Sequence, residues 1–404
     1  MVKAREGHEP DRERQRLLRV LAAATFIIFF QGFMVAPLIP HLAEYFQAPF
    51  QVVGYVVPAY LIPYGLAVLI YGPLSDRWGL KSLILASLLA FIALTVATAT
   101  ARTVWQLIGW RAAAAIGTAA VVPLSLIWVG SQYSYQRRGQ PLGVIFAALA
   151  GGIATGKTLG VLVVPLIGWR GLFIAIAAVS LPLFLLLWPQ RKLLGKAKEE
   201  PGPGFRGLAK VSGKLLGQAR GLSTYSYVLL NSIFHGGVYT WLGVYFRERY
   251  GLGDIGIALA ILGYGIPGFL FSRPIGRMAD RWGRRWLLPP GLAIGAVSAL
   301  ALMPEWGVVL AAIVVFVLSL GFALTQPLFA GIVTDLGGPQ HMGQAMGLNV
   351  FMLFNGFGLG ALLFGQALAI GFNTALIWFA LGEMFLAVAA IWLFRGETPG
   401  RARE

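Results

Sequence analysis

The decapeptide Gly72-Pro73-Leu74-Ser75-Asp76-Arg77-Trp78-Gly79-Leu80-Lys81 returns 204 positions later as Gly276-Arg277-Met278-Ala279-Asp280-Arg281-Trp282-Gly283-Arg284-Arg285. The same offset, held without a gap, pairs Gly32 with Gly236, Tyr60 with Tyr264, Pro63 with Pro267, Gly117 with Gly321 and Pro123 with Pro327. It continues through Gly139/Gly343, Gln140/Gln344, Gly143/Gly347, Gly152/Gly356 and Gly156/Gly360. Most pairs are Gly or Pro, the residues that set helix bends and close helix approach. A chain copied in this way must fold as two like units hinged on like turns.

What surrounds the turns decides the solvent. The 404 residues are 57% hydrophobic and 12% charged, where a soluble domain carries about a quarter charged residues. Apolar stretches of bilayer length, about 20 residues, lie near 17–39, 50–74, 82–101, 103–130, 140–167 and 170–189. They resume near 225–246, 254–275, 286–303, 306–330, 342–369 and 373–394. The expected fold is an all-α membrane protein, with twelve transmembrane helices in two six-helix pseudo-symmetric halves. The expected segments are an N-terminal tail (1–16), a first bundle (17–189), a central loop (190–224), a second bundle (225–394) and a C-terminal tail (395–404). The first apolar run lacks a small-residue cleavage site and is expected to be a retained span.

Charge placement sets the orientation. All but six of the 32 Lys and Arg residues fall on one side of a twelve-span topology. The exceptions are Arg102, Arg170, Arg247 and Arg249 in opposite-side loops, and Arg111 and Lys157 inside spans. The positive-inside rule therefore places both termini and the central loop in the cytoplasm, with the chain in the inner (plasma) membrane. The net charge of +16 is then a topology signal and a match to anionic lipid. With no soluble basic domain, nucleic acid is not an expected partner. There is no cysteine, and the four histidines have no metal-ligand spacing, so no metal or cofactor is expected. In the central loop, Leu208, Val211, Leu215 and Leu222 alternate with Lys210, Lys214 and Arg220. A basic amphipathic helix on the membrane surface and a disordered linker both fit that pattern.

The duplicated decapeptide is similar to the signature loop between helices 2 and 3 of the major facilitator superfamily, G-x-L-a-D-r-x-G-r-k. Leu80 stands where a basic residue is usual. The resemblance covers nearly the whole chain and implies alternating access. It also implies conformational gating by Gly72, Asp76, Arg77, Gly79 and Lys81 and by Gly276, Asp280, Arg281, Gly283 and Arg284. Asp76 would sit near the start of the eleventh helix, around Gly343, and Asp280 near the start of the fifth, around Gly139. A carboxylate on a helix N-terminus is worth about 0.3–2 kcal/mol, enough to bias two conformations. The alternative is a basic loop that only sets topology.

Two spans carry charge. Arg111 in the fourth resembles the arginine of the family's R-x-x-q-G-x-G motif, with Gly117 in register and Ala114 and Ala115 replacing the usual Gln and Gly. Val315 occupies the equivalent place in the second repeat, so this charge is not part of the duplicated scaffold. An intramembrane ion is a functional candidate; snorkelling to the outer face is the alternative. The fifth span reads Gly151-Gly152-Ile153-Ala154-Thr155-Gly156-Lys157-Thr158. It satisfies the phosphate-loop string but lacks that loop's preceding strand and solvated pocket. Gly152, Gly156 and Gly160 instead resemble the spacing of the family's antiporter motif, G-x-x-x-G-P-x-x-G, with Lys157 in place of proline.

Arg111 and Lys157 lie at one depth, about 12–15 Å from the outer face at 1.5 Å per residue. Gln31, its repeat partner His235, and Glu383 fall near that level. Two unpaired cations would attract an anionic substrate through charge-assisted hydrogen bonds. Arg111, Lys157, Gln31, Asn231, His235, Tyr239 and Asn355 are the substrate-binding candidates. Burial disfavours the charge on an ammonium, so Lys157 is also a proton-coupling candidate, with Glu383 and His235.

The expected function is secondary active transport, as proton-coupled efflux of small amphipathic or anionic organic molecules by an antiporter. An organic-anion importer or exchanger, with Arg111 and Lys157 as clamp, is the alternative. A polytopic membrane enzyme would need a metal motif, a Ser/Lys dyad or an acidic pair in adjacent spans, and none is convincing. Expected partners are a small-molecule substrate, protons and the lipid bilayer, with the protein a monomer.

Overall fold

The protein is described here by a computed structural model covering residues 9–133, 137, 139–194 and 204–398. Residues 1–8 and 399–404 of the expected tails, and residues 195–203 of the central connection, lie outside the described residues. All regular structure among the described residues is helical. The first repeat contains α1 (Glu9–Phe33), α2 (Ile39–Phe46), α3 (Phe50–Gly54), α4 (Pro58–Trp78), α5 (Leu80–Ala99), α6 (Val104–Thr118), α7 (Val121–Gln132) and α8 (Gly139–Leu194). After α9 (Gly204–Leu216) the second contains α10 (Ala219–Tyr250), α11 (Asp254–Ile261), α12 (Ile266–Trp282), α13 (Leu288–Ala301), α14 (Val308–Ala367) and α15 (Phe372–Leu393).

Every expected apolar stretch falls on helix, and the exceptions to simple rods have local causes. Among the described residues, eight helical runs are long and apolar enough to cross a membrane. At 1.5 Å per residue, a 60-residue helix such as α14 would be about 90 Å long, three times a hydrocarbon core. Its backbone instead turns at Gly338 (φ 55°), and α8 turns at Gly168 (φ 71°). Both glycines lie between adjacent expected spans. The remaining stretches belong to the second repeat. There the apolar run of the continuous helix α10 is diluted by Asn231, Ser232, His235 and Thr240; α11 and α12 break at Gly265 (φ 109°); and α13 has only 14 residues.

The duplicated turn folds alike twice. Gly79 ends α4 at φ 77° and ψ 144°, and Gly283 ends α12 at φ 86° and ψ 151°. Each closes the last helical turn through its own N–H, Gly79 to the Ser75 carbonyl at 3.0 Å and Gly283 to the Ala279 carbonyl at 2.9 Å. A β-carbon disfavours these positive φ values, which is why both copies carry glycine.

A second duplicated device fixes helix packing. Gly152 and Gly156 of α8 press on Phe26 and Phe30 of α1, and Gly160 on Met34 just past its end; a β-carbon at Gly156 would lie 2.5 Å from the Phe30 carbonyl oxygen. The equivalent Gly356 and Gly360 of α14 press on Leu229, Ser232 and Ile233 of α10. Small residues let backbones approach where lipid offers no hydrophobic force between helices. The seam also aims Lys157, one residue beyond Gly156, toward the centre of the molecule.

We call the face where α10 begins and α15 ends the terminal face, and the opposite one the far face. From mid-span to the far face the repeats meet closely. Gly65 abuts Asn355, Gly358 abuts Ile62, and Gly243 abuts Pro37. At the far face His41 Nδ1 is 2.9 Å from Asp254 Oδ2, and Glu44 pairs with Arg247. On the terminal face α9 packs on α4 of the first repeat and α14 of the second. Its Leu215 is buried in a cluster with Tyr225, Val333, Ala345 and Leu348, while Arg206, Lys210 and Lys214 are exposed. For 204–216, therefore, the central connection is a basic amphipathic helix with its apolar edge buried in protein.

Candidate functional site

A small cavity of about 20 Å³ lies where the repeats converge. Phe33 of α1 and Lys157 of α8 enter it from the first repeat; His235 and Tyr239 of α10, Tyr264 before α12 and Phe357 of α14 enter from the second. The Lys157 ammonium is held between two rings of the opposite repeat. Its Nζ is 4.0 Å from the Tyr239 ring centre and 4.1 Å from that of Tyr264, with Phe33 at 5.6 Å. The two tyrosine rings are themselves 4.7 Å apart at 40°. Ring faces attract a cation by their quadrupole, about 0.5–2 kcal/mol each depending on desolvation. Among the described residues Lys157 has no hydrogen-bonded or ion-paired partner, so its three donors are unspent.

His235 stands beside this cage. Its Nδ1 is 3.5 Å from the Tyr264 hydroxyl, and its ring packs edge-on against Phe234 and Phe322. Its Nε2 is buried without a partner among the described residues and points to α13, 3.6 Å from where a β-carbon on Gly295 would lie. The Tyr239 hydroxyl is likewise buried and unpaired.

Arg111 is placed differently. It is fully buried on α6, does not line the cavity, and does not snorkel. Its Nη2 donates to the Gly32 carbonyl at 3.0 Å, Nη1 to the Gln31 carbonyl at 3.2 Å and to Gln31 Oε1 at 3.4 Å, and Nε to the Val56 carbonyl at 3.3 Å. Its guanidinium carbon lies 4.3 Å from the Tyr60 ring centre. These carbonyls sit where α1 and the segment before α4 end or break, so they have no helical donor of their own. The planar five-donor fork fits such a cluster as an ammonium does not.

The other candidates divide. Gln31 serves Arg111. Asn231 donates Nδ2 to Thr325 Oγ1 at 3.1 Å, and Asn355 donates Nδ2 to the Phe351 carbonyl at 2.8 Å beside Gly65 of the other repeat. None of the three lines the cavity. Glu383 is 1% exposed within the second repeat, on a face of α15 turned to protein. Lys157, His235 and Tyr239 are thus the three the structure brings together. Thr240 and Phe357 went unremarked in the sequence. Tyr264 stood out only as the repeat mate of Tyr60.

The gating candidates lie at the terminal face. Asp76 is half-buried at the end of α4, while Asp280, Arg77 and Arg281 are exposed. Around Gly139 and Gly343, the expected seats of the two aspartates, a β-carbon would meet nothing within 4 Å. Arg284 is engaged within its own repeat, Nη1 lying 2.5 Å from Asp335 Oδ2 and 3.7 Å from Glu397 Oε2. Arg220 completes the knot with Nε and Nη2 bonds of 2.6 and 2.8 Å to the Glu397 carboxylate.

Comparison with known proteins agrees with this architecture. The family model of the Major Facilitator Superfamily matches residues 21–272 and 253–404. The uncharacterized MFS-type transporter YwfA of Bacillus subtilis (strain 168) is 29% identical over 343 residues, 81% of this chain and 80% of that one. A chloramphenicol resistance protein of Streptomyces lividans is 25% identical over 329 residues, 80% and 82% of the two chains. Among solved structures, a bacterial homolog of the human lysosomal transporter Spinster, inward-facing and unoccupied, superposes with TM-score 0.74 at 16% identity. That superposition covers 96% of this chain and 98% of the other. With the family matched across both repeats and the fold shared over nearly its full length, the chain belongs to the Major Facilitator Superfamily and is a membrane transporter, not an enzyme.

Proposed function

We propose that the protein is a twelve-span, alternating-access antiporter that exports small amphipathic organic molecules bearing an anionic or hydrogen-bond-accepting group in exchange for protons. In this reading the halves, 17–189 and 225–394, rock about the cavity, the connection at 190–224 is cytoplasmic, and the membrane is the plasma membrane. The observation that carries the substrate class is Lys157, an ammonium with unspent donors between two aromatic faces of the opposite half. A bound anion gains charge-assisted hydrogen bonds from it, about 1.5–3 kcal/mol, while the tyrosine and phenylalanine rings accept an apolar body. The likeness to a chloramphenicol resistance protein favours export of a small organic molecule.

The cage also suggests how binding is coupled to movement. Without substrate, Lys157 of one half is held by Tyr239 and Tyr264 of the other, at the base of the far-face contacts. An anion competes for that ammonium and replaces a contact across the halves by one to itself. A ligand shifts a conformational equilibrium only by such a difference between states. Arg111, its donors spent on carbonyls, acts in this reading by holding Gly32 and Phe33 in the cavity wall.

A thermal-shift screen of purified protein against anionic, neutral and cationic amphipaths tests the substrate class. Anionic probes should raise the wild-type Tm, since a ligand that binds only the native state stabilises it by mass action; Lys157→Met should abolish the rise. Equal protection of wild type and variant would overturn the role of Lys157. Proteoliposomes loaded with the best probe, under a pH gradient of each sign, test coupling. Movement that ignores the gradient's sign would overturn antiport.

A further inference from the structure

Glu383 sits at mid-length of α15 with both carboxyl oxygens buried and, among the described residues, without a hydrogen-bonding partner. Its position is bracketed by two contacts with α10, which runs antiparallel to α15. On one side the Phe379 ring packs against Gly237; on the other, the Tyr227 hydroxyl donates to the Leu386 carbonyl at 3.0 Å. Glu383 therefore faces the stretch of α10 between Tyr227 and Gly237, which carries Asn231, Ser232 and His235. Three further buried polar atoms there have no partner among the described residues: Asn231 Oδ1, Ser232 Oγ and His235 Nε2. His235 Nε2 points away from the cavity toward Gly295 of α13, the helix on which α15 packs. Its other nitrogen meets Tyr264, whose ring holds Lys157.

Among the described residues no counter-charge accounts for the carboxyl. On α10 the ionisable neighbours are Tyr227 and His235, and α13 contributes none along Leu288–Ala301. On α14 the charged group is Asp335, committed to Arg284 and Arg220 at the terminal face. An ionised carboxylate without partners is far costlier to bury than a neutral acid, and an unpaired polar group in a span calls for a functional reason.

We propose that Glu383 is a proton-binding site of this transporter, set behind the cavity between α10, α13 and α15, and that its proton is exchanged with the cavity through the His235 imidazole. The step is a simple transfer. The carboxyl and the imidazole are not hydrogen-bonded to each other in this structure, so the transfer runs through a bridging water or a turn of the ring: the imidazole takes a proton on one nitrogen and releases one from the other, and neither group gains or loses more than a proton. The site does not require that Lys157 bind an anion.

The test needs no substrate. Infrared difference spectra of the full-length protein in lipid, recorded as the pH is stepped upward, should show a buried carboxylic C=O band that bleaches into carboxylate. Glu383→Gln should lack that band. On transfer to deuterated buffer the band should shift as the acid exchanges, and His235→Phe should slow that exchange about a hundredfold, the scale of one positioned proton-transfer group. A wild-type spectrum with no protonated acid at any pH, or an unchanged band in Glu383→Gln, would overturn the site. Equal exchange rates in wild type and His235→Phe would overturn the route. Failure of the anion screen at Lys157 would touch neither result.

Discussion

Tyr60 and Tyr264 are the same residue in the two repeats, and each lies under a cation from the first repeat. The resemblance ends at the donors. Arg111 over Tyr60 spends its guanidinium on three backbone carbonyls and Gln31, whereas Lys157 between Tyr264 and Tyr239 donates to nothing among the described residues. Around Tyr60 the first repeat has closed a knot of its own residues: Gln31, Gly32, Val56 and Arg111. Around Tyr264 the second repeat has His235 in place of Gln31 and a buried Val315 in place of Arg111, so its cation must come from the other half. One cluster reads as scaffold because its cation is satisfied from within. In the function proposed above, its counterpart is the one open to a ligand, because a charge crosses the interface and, among the described residues, stays unspent.

The largest effect should come from breaking the closed knot. Arg111→Ala strands the carbonyls of Gln31, Gly32 and Val56 in a buried site and opens a cavity; each buried acceptor left without its partner costs about 1–3 kcal/mol. Thermal unfolding in detergent should show a large drop in Tm, and Arg111→Lys should recover little of it, because an ammonium cannot span the same acceptors. If Arg111→Ala unfolds like wild type and loses anion protection instead, the two clusters have the same role and the contrast fails.

Lys157→Met should give the opposite pattern. Deleting an unpaired buried charge leaves no acceptor stranded, so the Tm should hold or rise. Affinity for anionic probes should fall about 10- to 100-fold, equivalent to the 1.5–3 kcal/mol of a charge-assisted hydrogen bond. Isothermal titration with a probe from the screen measures it, and Lys157→Arg should keep much of the affinity. A Tm loss as large as that of Arg111→Ala would mean that the cage is structural.

These expectations were only partly readable from the chain. The gapless repeat located both turns, and Gly79 and Gly283 carry the positive φ that such turns demand. Stripes such as Gly152-x-x-x-Gly156-x-x-x-Gly160 announced a packing seam. Arg111 and Lys157 stood out equally as ions in apolar spans, and nothing in side-chain spacing separated them. What separates them is backbone: Arg111 is satisfied by carbonyls freed where the helix before Met34 ends and where the chain turns ahead of Pro58. Carbonyls are present at every position, so no residue type marks them. The cage was hidden for a different reason. Tyr239 and Tyr264 reach Lys157 only through the way the repeats meet, a contact between residues about 80 to 110 apart that periodicity does not carry.

The smallest effect is also the sharpest discriminator, because a change in affinity is expected in one cluster and none in the other. Tyr60→Leu removes a ring from the closed knot and, with it, a weak contact of its hydroxyl to Thr118 Oγ1 at 3.4 Å. Stability should fall while the affinity of an anionic probe stays the same. Tyr264→Leu removes one of the two faces that hold the Lys157 ammonium. If cage and anion compete for that ammonium, the variant should bind the anion more tightly by about two- to fivefold, since one cation–π contact is worth about 0.5–1 kcal/mol at a partly solvated site. A side-chain deletion that improves binding is hard to obtain by general damage. Weaker binding in Tyr264→Leu would mean that the ring belongs to the substrate's seat and does not compete with it, and the coupling of substrate to the parting of the repeats would have to be sought elsewhere in the cavity wall.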